Sequence, residues 1–255
     1  MKKFGLLSLL FILALVVSAC GTESSGGEGD KDKVYKVGVD TTYPPFEFEE
    51  GGDYKGIDIE LINAIAKDQG FKIELSPMDF GGIIPAMQSG ELDVAIAGMS
   101  ITDERKKVVD FSTPYFDAGL TLVVNKDNSD IQSVDDLKGK TVAVKKGTTG
   151  AKYATDNASK AGFKVVQFND SPAMFQEVSN GNADVLIEDY PVIAYAIAQK
   201  DLGLKIVGER LNGDQYGIAV LKGENQDLLK KINNGLKKLK ENGKYDEIVK
   251  KYLGE

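Results

Sequence analysis

Leu92-Asp93-Val94-Ala95-Ile96-Ala97 decides the fold class. Apart from one acid the run is apolar and does not alternate. A strand buried on both faces reads this way, and such strands belong to parallel sheets covered by helices on either side. Residues 34–39 upstream alternate and favour another strand. Ile57, Leu61, Ile62 and Ile65 then share one helical face, and that helix stops near Gly70. A strand at 71–75 and a short helix at 82–88, ending by Gly90, complete the approach to the central run.

The same rhythm returns downstream. The pattern predicts strands at 141–144, 164–168 and 183–187, and helices at 151–161, 174–180 and 191–199. Alternation of this kind means a parallel-cored α/β fold, and two series mean two lobes. One strand at 216–221 follows, then a long amphipathic helix with Leu228, Ile232, Leu236 and Leu239 inward, and a shorter helix at 244–253. If these return to the first lobe, the chain crosses twice, near 120–124 and near 214–219. The expected lobes are therefore 34–119 with 215–255, and 120–214. Two crossings make a hinge, and the cleft between the lobes is the default ligand site.

The N-terminus carries a different kind of signal. Lys2 and Lys3 precede an apolar stretch at 6–17 broken only by Ser8, and Ser18-Ala19 come directly before Cys20. This is a secretory leader over 1–19, too short for a membrane span. Val17-Ser18-Ala19-Cys20 resembles the lipobox of bacterial lipoproteins. That resemblance implies a lipidated Cys20 as mature N-terminus, anchored on the extracytoplasmic face of the cell membrane. The other reading is an ordinary leader with a chance cysteine. Residues 21–33 contain no apolar side chain and read, with Cys20, as a flexible tether.

Composition narrows the chemistry. Cys20 is the single cysteine and there is no histidine. A disulfide framework, a cysteine metal cluster, the usual neutral-pH base and the commonest metal ligand all drop out. No cofactor or metal is expected. Lys+Arg total 31 against 39 Asp+Glu, a net charge of −8, and loss of Lys2 and Lys3 with the leader makes it −10. Such an acidic chain is no partner for nucleic acid or bare anionic lipid. A monomer is expected.

Several separate motifs agree in order: Asp40-Thr41-Thr42-Tyr43-Pro44-Pro45-Phe46-Glu47-Phe48, Pro77-Met78-Asp79-Phe80, Gly98-Met99-Ser100 through Arg105-Lys106-Lys107, Asp110-Phe111-Ser112, Val142-Ala143-Val144-Lys145 and Tyr216-Gly217-Ile218-Ala219. In them the chain, from about Val34 to Leu253, resembles the polar amino-acid substrate-binding proteins of ABC importers, and among these the glutamine-binding group. The resemblance implies a type II periplasmic-binding-protein fold whose two lobes close on a free L-amino acid and deliver it to a membrane permease.

The residues themselves support part of that picture. Thr102 is a good N-cap and Asp103-Glu104 are good first-turn residues, so a short helix is predicted there. A guanidinium beside free N–H groups makes a carboxylate site. Alternatively Arg105 pairs with Asp103 or Glu104 in a solvated turn. The resemblance makes Arg105 the clamp for the ligand carboxylate, with Gly98 and Ser100 beside it. It makes Asp189, otherwise an N-cap, the partner of the ligand ammonium, and Tyr43 and Phe80 the aromatic walls. Asp40, Lys145 and Glu188 then face the ligand side chain, and Thr149 stands where the family loop has glycine.

A carboxamide offers one acceptor and two donors, which an ammonium and a carboxylate answer together. Arg105 and Lys145 against Asp40, Glu188 and Asp189 leave the site at −1, which disfavours glutamate. Lys145 opposes a lysine or arginine head group, so glutamine leads and a cationic amino acid is the alternative. Two others are an amino-acid sensor lobe and, with Glu188 as the acid, a dehydratase like a few relatives of this fold.

Overall fold

The structure is a computed structural model describing residues 33–254. In chain order, the first part contains β1 (Val34–Val39), β2 (Thr42–Tyr43), β3 (Glu47–Glu50), β4 (Asp53–Lys55), α1 (Ile57–Gln69), β5 (Lys72–Pro77), α2 (Phe80–Gln88), β6 (Val94–Ala95), β7 (Val109–Phe111) and β8 (Phe116–Asp117). Then come β9 (Leu120–Asn125), β10 (Thr141–Lys145), α3 (Thr149–Ala161), β11 (Lys164–Phe168), α4 (Ser171–Ser179), β12 (Val185–Asp189), α5 (Tyr190–Gln199) and β13 (Leu204–Val207). The chain ends with β14 (Gln215–Tyr216), β15 (Ala219–Leu221), α6 (Gln226–Glu241) and α7 (Lys244–Leu253).

Two five-stranded sheets carry the two lobes. The first runs β5-β1-β6-β15-β7 and the second β11-β10-β12-β9-β13. Each has four strands running one way and one running against them: β15 against β5, β1, β6 and β7 in the first sheet, and β9 against β11, β10, β12 and β13 in the second. The chain passes between the sheets in β8 and β14, which pair antiparallel as a two-stranded ribbon, Gln215 opposite Asp117 and Tyr216 opposite Phe116.

The central apolar run behaves as its composition dictates. Val94 and Ile96 enter the core that also holds Ile57, Leu61, Ile62 and Ile65 of α1. Leu92, Ala95 and Ala97 enter the opposite one, with Ile83 and Met87 of α2. Both faces are covered, hence no alternation. The strand is nevertheless shorter than the predicted 92–97. β6 pairs with β1 only through Val37 and Gly38, and at Gly98 the backbone turns out at φ +51. Leu228, Ile232, Leu236 and Leu239 of α6 are buried, and α6 packs on α1. Burying each such side chain stabilises the lobe by roughly 1.5–3 kcal/mol.

Other departures have local causes. The single strand predicted at 216–221 is two, because Gly217 and Ile218 carry the chain from the ribbon into the first sheet. The meander β2-β3-β4 was unforeseen. Lys33, read as the last tether residue, is already tied to Asp93 at 2.8 Å. The leader and Cys20 expectations lie outside the described residues. Among the described residues no helix is long and apolar enough to cross a membrane.

Candidate functional site

The site lies where the parallel strands of both sheets end. Asp40 follows β1, Gly98 lies just beyond β6, Lys145 ends β10 and Asp189 ends β12. In open α/β sheets the carboxyl ends of strands bind ligands, because loops there diverge and leave a crevice. Here two such crevices face each other. Tyr43, Phe80, Gly98, Ser100, Arg105, Lys145, Thr148, Thr149 and Asp189 line one cavity of about 240 Å³ of empty space. Only about 10 Å³ of it is open to the centre of a water molecule, roughly the room one water needs. The lobes are therefore closed on each other, and an amino acid enters only if they part.

Eight of the ten predicted ligand residues line this cavity. Asp40 and Glu188 stand behind its wall. Thr148, which the sequence reading missed, is a wall residue whose hydroxyl caps α3 by accepting from Ala151 N at 3.1 Å. Tyr216 was missed as well. Its hydroxyl donates to Asp189 Oδ2 at 2.6 Å.

Arg105 is not paired with its neighbours in sequence. Lys106 takes Asp103 at 3.4 Å, and Lys152 takes Glu104 at 3.4 Å. The guanidinium instead donates to Ser100 O at 2.8 Å and, across the cleft, to Gly147 O at 3.0 Å, and it lies 5.2 Å from the Phe80 ring centre. Burial lowers its pKa against the opposing pull of Asp189 and Asp214. The predicted short helix is only a 3-10 turn, Arg105–Lys107, although Thr102 Oγ1 does accept from Arg105 N at 3.2 Å. One turn aligns too few peptides for a useful dipole, so any anion site here rests on the guanidinium. Gly147, at φ +75, lets the lobes meet without a side chain between them. A Cβ there would stand 2.9 Å from Gly81 Cα.

Asp189 occupies the N-cap position of α5 but makes no side-chain cap bond. Its Oδ2 accepts from the hydroxyls of Tyr43 at 2.8 Å and Tyr216 at 2.6 Å, while Oδ1 is buried with no hydrogen-bond partner. Burial raises its pKa, and the two tyrosine bonds oppose that. Glu188 accepts from Ser171 Oγ at 2.7 Å, from Asp189 N at 2.9 Å and from Tyr43 Oη at 3.0 Å. Burial first, and Asp189 next, push it up to about 7. Tyr43 has a single hydroxyl proton for two carboxyl groups, so a second proton in the cluster relieves the conflict.

Lys145 is buried, sits 4.6 Å from the Tyr43 ring centre and pairs across the cleft with Asp40 Oδ2. Asp40 Oδ1 in turn accepts from Thr42 N at 3.0 Å and Thr42 Oγ1 at 2.7 Å. A fixed ammonium therefore forms part of the cavity wall. Such an arrangement can hold a zwitterion and present a point charge to its side chain.

Comparison with known proteins adds family context. The model of the bacterial extracellular solute-binding proteins, family 3, matches residues 35–255. The arginine-binding extracellular protein ArtP of Bacillus subtilis (strain 168) is 35% identical over 254 residues, covering 99% of this chain and 98% of the relative. An ancestral arginine-binding protein bound to arginine superposes with a TM-score of 0.82 at 48% identity, covering 88% of this chain and 99% of that one. An ancestral arginine-binding protein bound to glutamine gives 0.81 at 49% identity, covering 87% of this chain and 98% of that one.

Proposed function

For a chain that belongs to family 3 of the bacterial extracellular solute-binding proteins, we propose that it captures a polar L-amino acid, glutamine foremost, by closure of its lobes. It is an amino-acid-binding protein of the ABC-importer class, and its relatives bind solutes rather than convert them. The bound amino acid passes to the membrane subunits of the importer.

The observation that carries this reading is the free, buried Oδ1 of Asp189 in the same cavity wall as Arg105. An unsatisfied carboxylate oxygen costs free energy in a closed cleft, and an α-ammonium removes the cost. Arg105 takes the α-carboxylate, with Gly98 and Ser100 beside it. Tyr43 and Phe80 flank the carbon stem, and Thr149 closes the second-lobe side. Lys145 meets the carboxamide oxygen while Asp40 and Glu188 hold the polar shell behind. The moving bodies are 34–119 with 215–255, and 120–214. The protein acts as a monomer.

Arginine is the second reading. It is favoured by Glu188, poised near neutrality and able to ionise beside a cation, and by relatives that bind arginine. Titration calorimetry of the protein, stripped of carried-over ligand, against all twenty amino acids is expected to rank glutamine first. The radius of gyration from small-angle scattering should fall on glutamine addition, because both lobes contribute contacts only when they meet. No binding of any amino acid would overturn the proposal.

The localisation follows from the leader. Cys20 is lipidated and holds the folded part at the extracytoplasmic face through the tether of residues 20–33. Cys20→Ala should release the protein from membranes or leave the precursor uncleaved. Unchanged partitioning of Cys20→Ala into the detergent phase would refute the anchor.

A further inference from the structure

We infer that Glu47 and Asp58 share one buried proton behind the Gly98 loop, and that this proton holds the loop in position for the ligand. Both side chains are fully buried in the first lobe, Glu47 at the start of β3 and Asp58 in the first turn of α1. Asp58 Oδ2 accepts from Gly98 N at 2.8 Å and from Tyr115 Oη at 2.8 Å. Its Oδ1 has no partner, and neither has either oxygen of Glu47. Three orphan carboxylate oxygens in one dry volume would be costly. One proton changes the arrangement. Protonated Glu47 becomes a donor, Asp58 Oδ1 accepts from it, and Asp58 keeps its second oxygen for Gly98.

The surrounding charges leave no cheaper solution. Asp58 from α1, Asp40 after β1 and Lys145 of β10 face Glu47, but Lys145 is already paired with Asp40. Tyr115 before β8 faces Asp58, and the field of Asp58 also reaches Tyr245 of α7. Burial, then Asp58 and Asp40, raise Glu47 well above the carboxylate range, while Asp58 is pushed up to about 6 by burial. Around neutral pH the pair therefore keeps one proton.

The link to ligand runs through the backbone. Gly98, at φ +51, has its N–H fixed by Asp58, and a Cβ on it would lie 2.7 Å from Tyr43 Cε1. Two residues on, Ser100 O receives the Arg105 guanidinium. Glu47 and Asp58 are thus positioning residues, and their effect on binding rests on reading Gly98, Ser100 and Arg105 as ligand contacts. The sign of the pH effect follows from linkage. A carboxyl whose pKa is raised by folding contributes stability that is present below its unfolded value and is lost as pH rises through the folded value.

Two readouts test this on the whole folded protein. In the first, the Gly98 amide resonance is followed from pH 5 to 10 without ligand. It should titrate in the wild type on the alkaline side and stay flat there in Glu47→Gln. The second is calorimetry with glutamine and with arginine at each pH. Glu47→Met removes the donor and should bind about tenfold more weakly at pH 7, the worth of one hydrogen bond to a charged group. Glu47→Gln keeps a donor and should recover most of that loss. The affinity of the wild type should fall relative to Glu47→Gln as pH rises. The same alkaline Gly98 titration in wild type and Glu47→Gln would overturn the shared proton. A Glu47→Met protein with unchanged affinity would overturn its positioning role. If neither amino acid binds, the functional reading fails, while the Gly98 amide still decides whether the proton exists.

Discussion

Arg105→Ala is expected to bind glutamine at least about 30-fold more weakly than the wild type, a loss of roughly 2–5 kcal/mol. Two effects add. On the proposed assignment the ligand carboxylate loses its cationic partner, and closure loses the bond from Arg105 to Gly147 O across the cleft. Arg105→Lys should fall between, since a point charge cannot span the same planar fork. The fold should survive, because Arg105 sits on a 3-10 turn and fills no part of the apolar core. Calorimetry with an unchanged unfolding transition separates loss of binding from loss of fold. Near-normal affinity in Arg105→Ala would remove the central assignment.

The second large effect concerns specificity. Wild-type protein should prefer glutamine to glutamate by about 100-fold or more, since a site with matched buried polar groups leaves one unpaired when the ligand is wrong. Lys145→Ala should weaken glutamine and relieve repulsion toward lysine and arginine. It also strands Asp40 in the closed cleft, where an unpartnered charge costs roughly 3–5 kcal/mol, so closure itself should weaken. Glu188→Gln should make glutamate less unwelcome. As pH rises through about 7, ionising Glu188 adds negative charge and should move the preference of the wild type toward cationic ligands. A wild type that prefers arginine, with Lys145→Ala neutral, would overturn glutamine and leave the family membership intact.

Much of the scaffold was legible because its signals are local. The strand at 164–168 and the helix at 244–253 match the periodicity to the residue, since each buries one face against a neighbour it does not choose. Strand length is different. β6 stops where β1 stops pairing with it, and that register is a long-range fact. The meander at 42–55 hides behind Pro44-Pro45 and a run of acids and glycines. The strand at 204–207 is short and follows a helix closely. Within the site, charged residues at strand ends were legible and the tyrosine behind them was not. Tyr216 reads as core until the fold places its hydroxyl on Asp189.

Asp58 is the instructive miss. It lies on the same helical stripe as Leu61, Ile62 and Ile65, an acid where the pattern demands an apolar residue. Such an exception is a signal in its own right, because only a specific partner makes the position tolerable. Glu47, set between Phe46 and Phe48, gives a weaker version of the same hint.

The ribbon of β8 and β14 has a mechanical consequence. Two independent linkers would let the lobes rock, twist and shear. Two strands hydrogen-bonded to each other bend only together, which reduces those motions to one angle about the ribbon. Any pair of dyes placed on opposite lobes should then report the same trajectory, whichever surface positions are chosen. A transport partner that docks on both lobes gauges that one angle.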